Sequence, residues 1–188
     1  MTSLKRKDFR LEMLLGLGQT AQVYLARSPS GEAVALKLPR KEVRQDSRLS
    51  ERFAREVSFS LSLRHPHLVQ GLAGAPFGEE AFLALEYLPG GTLEDRLLQA
   101  PLPREEAVKA LLEVGEALLF LHRRGLVHQD VKPSNVFLGK GVYKLGDLGT
   151  LRPCRTAPRS TRAAPTTWPP SSSWAPPRAP RATLTASG

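Results

Sequence analysis

The sequence HQDVKPSN occupies residues 128–135, and DLG follows at residues 147–149. Together the two stretches supply three oxygen-bearing side chains, Asp130, Asn135 and Asp147, and one lysine. Phosphoryl transfer needs such a set: oxygen ligands hold Mg²⁺, a carboxylate orients the attacking hydroxyl, and a lysine spreads the charge on the transferred group. Taken singly, Asp, Asn and Pro are common in turns. The ordered set, rather than any one residue, therefore indicates this chemistry.

The two stretches resemble the catalytic loop and the DFG element of protein kinases, in the forms H-Q-D-x-K-x-x-N and D-L-G. This resemblance implies that Asp130 acts as the catalytic base and that Asn135 and Asp147 hold Mg²⁺. It also implies that Lys132 favours serine/threonine over tyrosine substrates. In the family the histidine packs and forms hydrogen bonds, so no acid–base role is expected for His128.

Three departures from the kinase pattern are visible. Gln129 replaces the arginine that normally receives an activation-loop phosphate. Because such charge pairing orders the loop, a phosphorylation switch of that type is not expected. Leu148 replaces phenylalanine but keeps the apolar bulk that the position needs. Ala21 replaces the third glycine of the family's glycine-rich loop.

The glycine-rich sequence GLGQTAQV lies at the junction of two predicted strands, Phe9–Leu17 and Ala21–Arg27. Glycines let a turn bring backbone N–H groups against phosphate oxygens, because no Cβ blocks the approach. On its own, a G-x-G between strands is more often an ordinary hairpin. The resemblance to the kinase loop implies that Gly16, Gly18 and Val23 contact the nucleotide.

Lys37 interrupts the apolar predicted strand 33–38, where an unpaired ammonium would be costly. One alternative is an edge-strand lysine whose ammonium reaches water. The resemblance to the V-A-I-K strand of kinases places Lys37 at the α and β phosphates, with Ala35 also in the nucleotide site. It makes Glu56, on the predicted helix 49–63, the partner of that lysine. The alternative for Glu56 is a solvated helix glutamate.

The stretch EYLPGGTL at residues 86–93 resembles the kinase hinge. The resemblance implies that Glu86 and Leu88 offer backbone groups to the adenine and that Phe137 lies beneath it. Ordinary turn chemistry would also produce Pro-Gly-Gly. Further on, residues 103–124 are predicted to form a long helix with one buried stripe. The predicted stripe consists of Val108, Leu111, Leu112, Gly115, Leu118, Leu119 and His122.

The formal charge of the 188-residue chain is +9, and residues 152–188 supply six of these charges through six arginines without any carboxylate. The first 151 residues are therefore nearly balanced, which argues against a nucleic-acid partner. No run approaches the about 18 apolar residues of a membrane span. The single cysteine fits a reducing compartment, so we expect a cytoplasmic protein without a membrane segment.

Residues 152–188 hold eight of the sixteen prolines and both tryptophans, and they lack periodicity. Such a segment cannot bury enough apolar surface to offset its ordering entropy, so a disordered tail is predicted. Read with a one-base shift, the codons of Ala164–Ser171 permit Pro-(His/Tyr)-Tyr-Met-Ala-Pro-Glu, which resembles the end of a kinase activation segment. We hypothesise a frameshift between about Leu151 and Thr161, which the nucleotide sequence of the gene would test.

The sequence thus predicts an α+β, two-lobe, protein-kinase-like fold. Residues 1–88 form a complete N-lobe of five antiparallel strands and one helix, and residues 89–151 form the hinge and a truncated, mostly helical C-lobe. The predicted function is a serine/threonine protein kinase that uses ATP and Mg²⁺, impaired by the truncation. A non-catalytic nucleotide-binding or scaffold module, or a non-functional product of a frameshifted gene, is the alternative. The sequence names neither the protein substrate nor the oligomeric state.

Overall fold

The computed structural model describes residues 4–154 of the chain. Within them, five antiparallel strands form one sheet in the order β1-β2-β3-β5-β4. The strands are β1 (Arg10–Leu17), β2 (Ala21–Arg27), β3 (Ala33–Pro39), β4 (Gly71–Ala75) and β5 (Phe82–Glu86). The predicted five-stranded sheet of the N-lobe is confirmed.

Alternation along β3 gives this sheet two different faces. On one face, three residues of β3 join an apolar cluster that includes Phe82. These residues are Val34, Leu36 and Leu38. Ala35 and Lys37 point to the opposite face. That second face turns toward a helix and the C-lobe, because Lys37 contacts carboxylates from both.

Two helices follow β3, namely α1 (Lys41–Gln45) and α2 (Ser47–Ser62). Asp46 begins α2, since its Oδ1 accepts the backbone N–H of Leu49 at 2.9 Å. The predicted N-lobe helix is α2, and the structure adds the short helix α1 before it. The extra helix α1 has only five residues, of which Val43 alone is buried, so it is too short to show a helical period.

Below the hinge, the described residues form two helices and two small antiparallel sheets. The elements are α3 (Leu93–Gln99), α4 (Arg104–His122), β6 (Leu126–Val127), β7 (Val136–Gly139), β8 (Val142–Leu145) and β9 (Arg152–Pro153). Strand β6 pairs with β9, and β7 pairs with β8. Single 3-10 turns at Pro133–Asn135 and Leu148–Thr150 carry residues of the two motifs. This arrangement matches the predicted partial C-lobe.

One apolar core joins the two lobes. Phe59 of α2 packs in one buried cluster with residues of α4, β8 and the DLG turn. The core residues from those three elements include Leu121, Tyr143, Leu145 and Leu148. The helix that carries Glu56 is therefore fixed against the segment that carries Asp147.

The predicted buried stripe of α4 is wrong in phase. The buried residues are Ala110, Val114, Ala117 and Leu121. Leu111 and Leu112, which were predicted to be buried, are 74% and 64% exposed. Apolar residues occur on more than one face of this helix, so the helical period of the hydrophobic residues does not by itself identify the buried face. Two alanines on the buried face let the helix approach β8 closely.

Two residues that follow the predicted boundary at residue 151 belong to a strand. Arg152–Pro153 forms β9 against β6, and the backbone N–H of Cys154 donates to the carbonyl of Gly125 at 2.7 Å. These backbone hydrogen bonds hold residues that composition alone assigned to the tail. Residues 155–188, on which the rest of the disorder and frameshift predictions depend, lie outside the described residues. Between residues 4 and 154, no helix has the length and apolar character needed to span a membrane.

Candidate active site

Lys37 lies between two carboxylates that come from different lobes. Its Nζ is 2.5 Å from Glu56 Oε1 on α2 and 4.0 Å from Asp147 Oδ1 in the DLG turn. The Lys37 and Glu56 side chains are only 18% and 8% exposed. The expected ion pair between Lys37 and Glu56 is thus present and largely shielded from water.

The electrostatic surroundings keep Lys37 protonated. Burial lowers the pKa of Lys37, but the carboxylates of Glu56 and Asp147 outweigh it, so the net pKa is raised above the ordinary value. The result is a positive charge in a fixed place at neutral pH. A cation held this way can neutralise an anionic ligand that enters from the open side of the cleft.

Asp130 is held by its two motif neighbours. Asn135 Nδ2 donates to the backbone oxygen of Asp130 at 2.8 Å and to Oδ2 at 3.1 Å. Lys132 Nζ lies 2.9 Å from the same Oδ2. The hydrogen bond from Lys132 is the main cause that lowers the pKa of Asp130, and the one from Asn135 adds to it. Asp130 is therefore an oriented, ionised carboxylate at neutral pH.

Asp147 adopts an uncommon backbone conformation, with φ 53° and ψ 61° in the left-handed region. Few residues other than glycine adopt it, although Asp does so more readily than most. Thr150 Oγ1 supports the turn by donating to the carbonyls of His128 at 2.6 Å and of Asp147 at 3.1 Å. Thr150 therefore ties the catalytic loop to the DLG turn.

His128 is a buried residue between the same two segments, and it is 1% exposed. Its Nε2 lies 2.8 Å from the carbonyl oxygen of Gly146, so Nε2–H is the donor. Burial lowers the pKa of His128, against smaller opposing effects of this carbonyl and nearby carboxylates. The imidazole is thus neutral near pH 7, in a position where it supports the loop without facing a substrate.

The glycine-rich turn joins β1 to β2. The Gly18 N–H donates to the carbonyl of Ala21 at 2.9 Å, and a Cβ on Gly18 would lie 3.2 Å from that oxygen. Nothing lies within 4 Å of a Cβ built on Gly16. Val23 is directly opposite Lys37 in the β2–β3 pairing, so both side chains lie on one face of the sheet. Of the predicted nucleotide contacts in this turn and its strands, Val23 is thereby placed beside Lys37.

Glu86 is predicted to contact the nucleotide through its main chain, and its side chain is engaged elsewhere. It pairs with Val34, on the opposite face of the sheet from Lys37. Its two carboxylate oxygens each accept from Lys144 Nζ at 2.7 Å, and Oε1 also accepts the Gln70 N–H at 2.8 Å. The Glu86 side chain therefore lies outside the cleft, and only its main chain could serve a nucleotide.

Close packing places the other predicted contacts around the cleft. Leu88 packs on Gly139, where an added Cβ would clash with Leu88 Cδ2. The ring of Phe137 packs on Gly146, where an added Cβ would lie 2.7 Å from Cε2. Ala35 lies on the same sheet face as Lys37. The two glycines thus allow the hinge and the ring to approach β7 and the DLG turn.

The donors present suit a Mg²⁺ ion that is shared with phosphate oxygens. Between residues 4 and 154, no group of three or more His, Cys, Asp or Glu side chains could hold a metal by itself. The structure does bring Asn135 next to the DLG turn, because the main-chain carbonyl of Asn135 accepts the N–H of Gly146 at 2.8 Å. The side-chain Nδ2 of Asn135 donates to Asp130, so the side-chain Oδ1 of Asn135 is the atom that could bind a metal ion. One amide and one carboxylate, that of Asp147, are hard oxygen ligands of the kind Mg²⁺ takes.

Comparison with known proteins agrees with this geometry. The model of the protein kinase domain family matches residues 9–179. The match extends past residue 151, where the resemblance in motifs ends. The chain is 35% identical over 150 residues to serine/threonine-protein kinase PknJ of Mycobacterium tuberculosis, covering 77% of this chain and 26% of the relative. It is 38% identical over 147 residues to CBL-interacting protein kinase 4 of Oryza sativa subsp. japonica, covering 75% and 32%.

A third relative, serine/threonine-protein kinase pkn2 of Myxococcus xanthus, is 34% identical over 149 residues, covering 77% of this chain and 18% of that protein. The chain therefore spans about a third or less of the length of these curated relatives. Most of the chain nevertheless lies within the family match. The chain belongs to the protein kinase superfamily, and within it to the serine/threonine type.

Proposed function

We propose that this chain binds ATP with Mg²⁺ and transfers the γ-phosphoryl group to a serine or threonine hydroxyl of a protein. The observation that carries the proposal is the position of Lys37. It is a shielded cation that contacts Glu56 from one side and faces Asp147 from the other. Such an arrangement fixes a positive charge beside a potential metal ligand, which phosphoryl transfer requires.

Each residue of the proposed site has a definite task. Glu56 holds the ammonium of Lys37 in place for the phosphates, while Asn135 and Asp147 would hold Mg²⁺. The bound nucleotide supplies the phosphoryl group, and the metal neutralises its charge. Gly16, Gly18 and the hinge main chain would receive the remainder of the nucleotide.

Asp130 is assigned to the acceptor hydroxyl. Because hydrogen bonds lower its pKa, the carboxylate is a weak ground-state base, so its first task is to orient the hydroxyl and to take the proton late. The ammonium of Lys132 contacts the Oδ2 of Asp130, and the Lys132 side chain is 50% exposed. The ammonium can therefore also reach the transferred group. Asn135 fixes the carboxylate for this task.

Nucleotide-dependent stabilisation of the full chain tests the proposal. Thermal unfolding is followed with and without ATP and MgCl₂, for the natural chain and for Lys37→Met. A ligand at 100 times its Kd raises the free energy of unfolding by about 2.7 kcal/mol. We expect most of this gain to disappear in Lys37→Met, because the phosphates lose their fixed cation.

The matched control is Lys41→Met, which removes an exposed lysine of α1. This variant should keep the full nucleotide-dependent gain. Only the difference with and without nucleotide is compared, so a change in basal stability of either variant does not affect the result. An equal gain in Lys37→Met and the natural chain would show that the nucleotide binds elsewhere.

A further inference from the structure

Helix α4 has a second apolar stripe, on the side opposite to the face that packs on β8. Four large apolar side chains on this side are between 47% and 74% exposed. They are Val108, Leu111, Leu112 and Leu119. Their spacing follows the helical period, so they form one continuous stripe along the helix. A contiguous exposed apolar surface on a folded protein marks a place where another element binds.

Gly115 lies in the middle of this stripe, at i+7 from Val108 and four residues before Leu119. Glycine is among the least favourable residues inside a helix. Nothing lies within 4 Å of a Cβ built on Gly115, so no neighbour between residues 4 and 154 requires a glycine there. A second helix would explain it, because the distance between packed helices depends on the side chains at their contact.

The charges beside the stripe complement those of a second copy of the chain. Glu105 lies in the first turn of α4, Arg123 is the C-cap, and both residues are exposed. They are 18 positions apart, which is five turns at 3.6 residues per turn, so both flank the stripe on the same side. If two α4 helices cross antiparallel at Gly115, Glu105 of each copy comes beside Arg123 of the partner subunit.

We propose that two copies of this chain form a symmetric dimer through the exposed stripe of α4, with the helices antiparallel and crossing at Gly115. A twofold axis lets one self-complementary patch serve both subunits, and it places Leu111 of one against Leu119 of the partner subunit. Parallel helices would bring equal charges together at both ends, so the charges select the antiparallel orientation. This inference is independent of nucleotide binding and of the proposed function.

Sedimentation equilibrium of the full chain, over micromolar concentrations, is the first test. The mass should rise from that of one chain to that of two and no further, because a twofold contact is closed. Gly115→Gln adds a side chain at the crossing while favouring the helix, and Leu111→Gln removes an apolar contact. Both should raise the dimer Kd at least tenfold. The control is Leu72→Gln, which removes a 49% exposed leucine from β4 and should leave the Kd unchanged.

Charge reversal is the second test, and it addresses the orientation of the helices. Glu105→Arg and Arg123→Glu each place equal charges at both ends of the crossing, so each should raise the Kd by about fivefold, as expected for exposed pairs. The double variant restores opposite charges and should return the Kd close to that of the natural chain. Added salt should reduce the differences among these chains. Circular dichroism checks that every variant is folded.

The outcomes decide what covers the stripe. A single-chain mass at every concentration would overturn the dimer, and a lower unfolding midpoint in Leu111→Gln would then assign the cover to residues 155–188 of the same chain. A mass that rises beyond two chains, equally in the natural chain and in Gly115→Gln, would also overturn it and indicate unspecific association. A dimer that is weakened only by changes on α4, and recovered by the double charge reversal, would support it.

Discussion

Two lysine–carboxylate pairs of the candidate site differ chiefly in their access to water. In the N-lobe, Lys37 lies 2.5 Å from Glu56, and the side chains are 18% and 8% exposed. In the catalytic loop, Lys132 lies 2.9 Å from Asp130, and the side chains are 50% and 36% exposed. Similar chemical groups are thus used in two ways. The shielded pair fixes a charge, and the exposed pair remains open to a reacting group.

The largest expected effect comes from the exposed pair. Asp130→Asn keeps the shape of the side chain but removes the proton acceptor. Transfer of the γ-phosphoryl group to a generic basic protein should fall by about 10²–10⁴-fold, the usual contribution of general base catalysis. Nucleotide-dependent stabilisation should persist, because Asp130 is assigned to the acceptor hydroxyl. Equal transfer rates in both chains would remove Asp130 from the mechanism.

The shielded pair should matter most for stability. Glu56→Gln leaves the Lys37 ammonium shielded from water with Asp147, at 4.0 Å, as its remaining carboxylate neighbour. Removing one partner of a buried pair costs about 3 kcal/mol. Lys132→Met should leave the denaturation midpoint unchanged, because its partner stays in contact with water. A comparable loss of stability in both variants would show that burial does not separate the two pairs.

A smaller effect is expected from pH, through His128. Burial lowers the pKa of His128 below its ordinary 6.5, so the unfolded chain takes up this proton at a higher pH than the folded one. The contribution is fully present above pH 6.5 and is lost as the pH falls through the folded-state pKa. Unfolding midpoints measured between pH 7.5 and 5.5 should therefore decrease on acidification.

The comparison for that prediction is His128→Asn, whose amide can still donate to Gly146. This variant should lose less stability on acidification than the natural chain. The half-buried ring of His65 also has a lowered pKa, mainly because of desolvation, and it is present in both chains. Equal pH dependence of the two chains would mean that His128 carries no part of the acid sensitivity.

Sequence reasoning located the sheet because its signals are local. The predicted bounds of β2, Ala21–Arg27, are those of the structure, because a short apolar run sets them. The Lys37–Glu56 contact could be proposed because motif spacing fixed both residues. Each of these features depends on residues that are near one another in the chain or on a recognised pattern.

Other features depend on tertiary packing and could not be predicted. The buried face of α4 carries Ala110 and Ala117 in the core shared with β8, whereas hydrophobicity favoured Leu111 and Leu112. Lys144 was missed because an alternating strand lysine has no local sign of its partner. Glu86 gave one indication of this partner, because a partly buried carboxylate at the hinge needs a nearby positive charge.

The backbone of Asp147 has a consequence for which mutations this position tolerates. At φ 53° glycine and asparagine fit most easily, whereas a longer or β-branched side chain is strained. Glycine would remove the oxygen ligand and asparagine would remove the negative charge beside Lys37. Glutamate would keep the charge but fits the turn poorly and displaces the carboxylate by one methylene. Conformation and chemistry therefore select the same residue independently, and aspartate alone meets both demands.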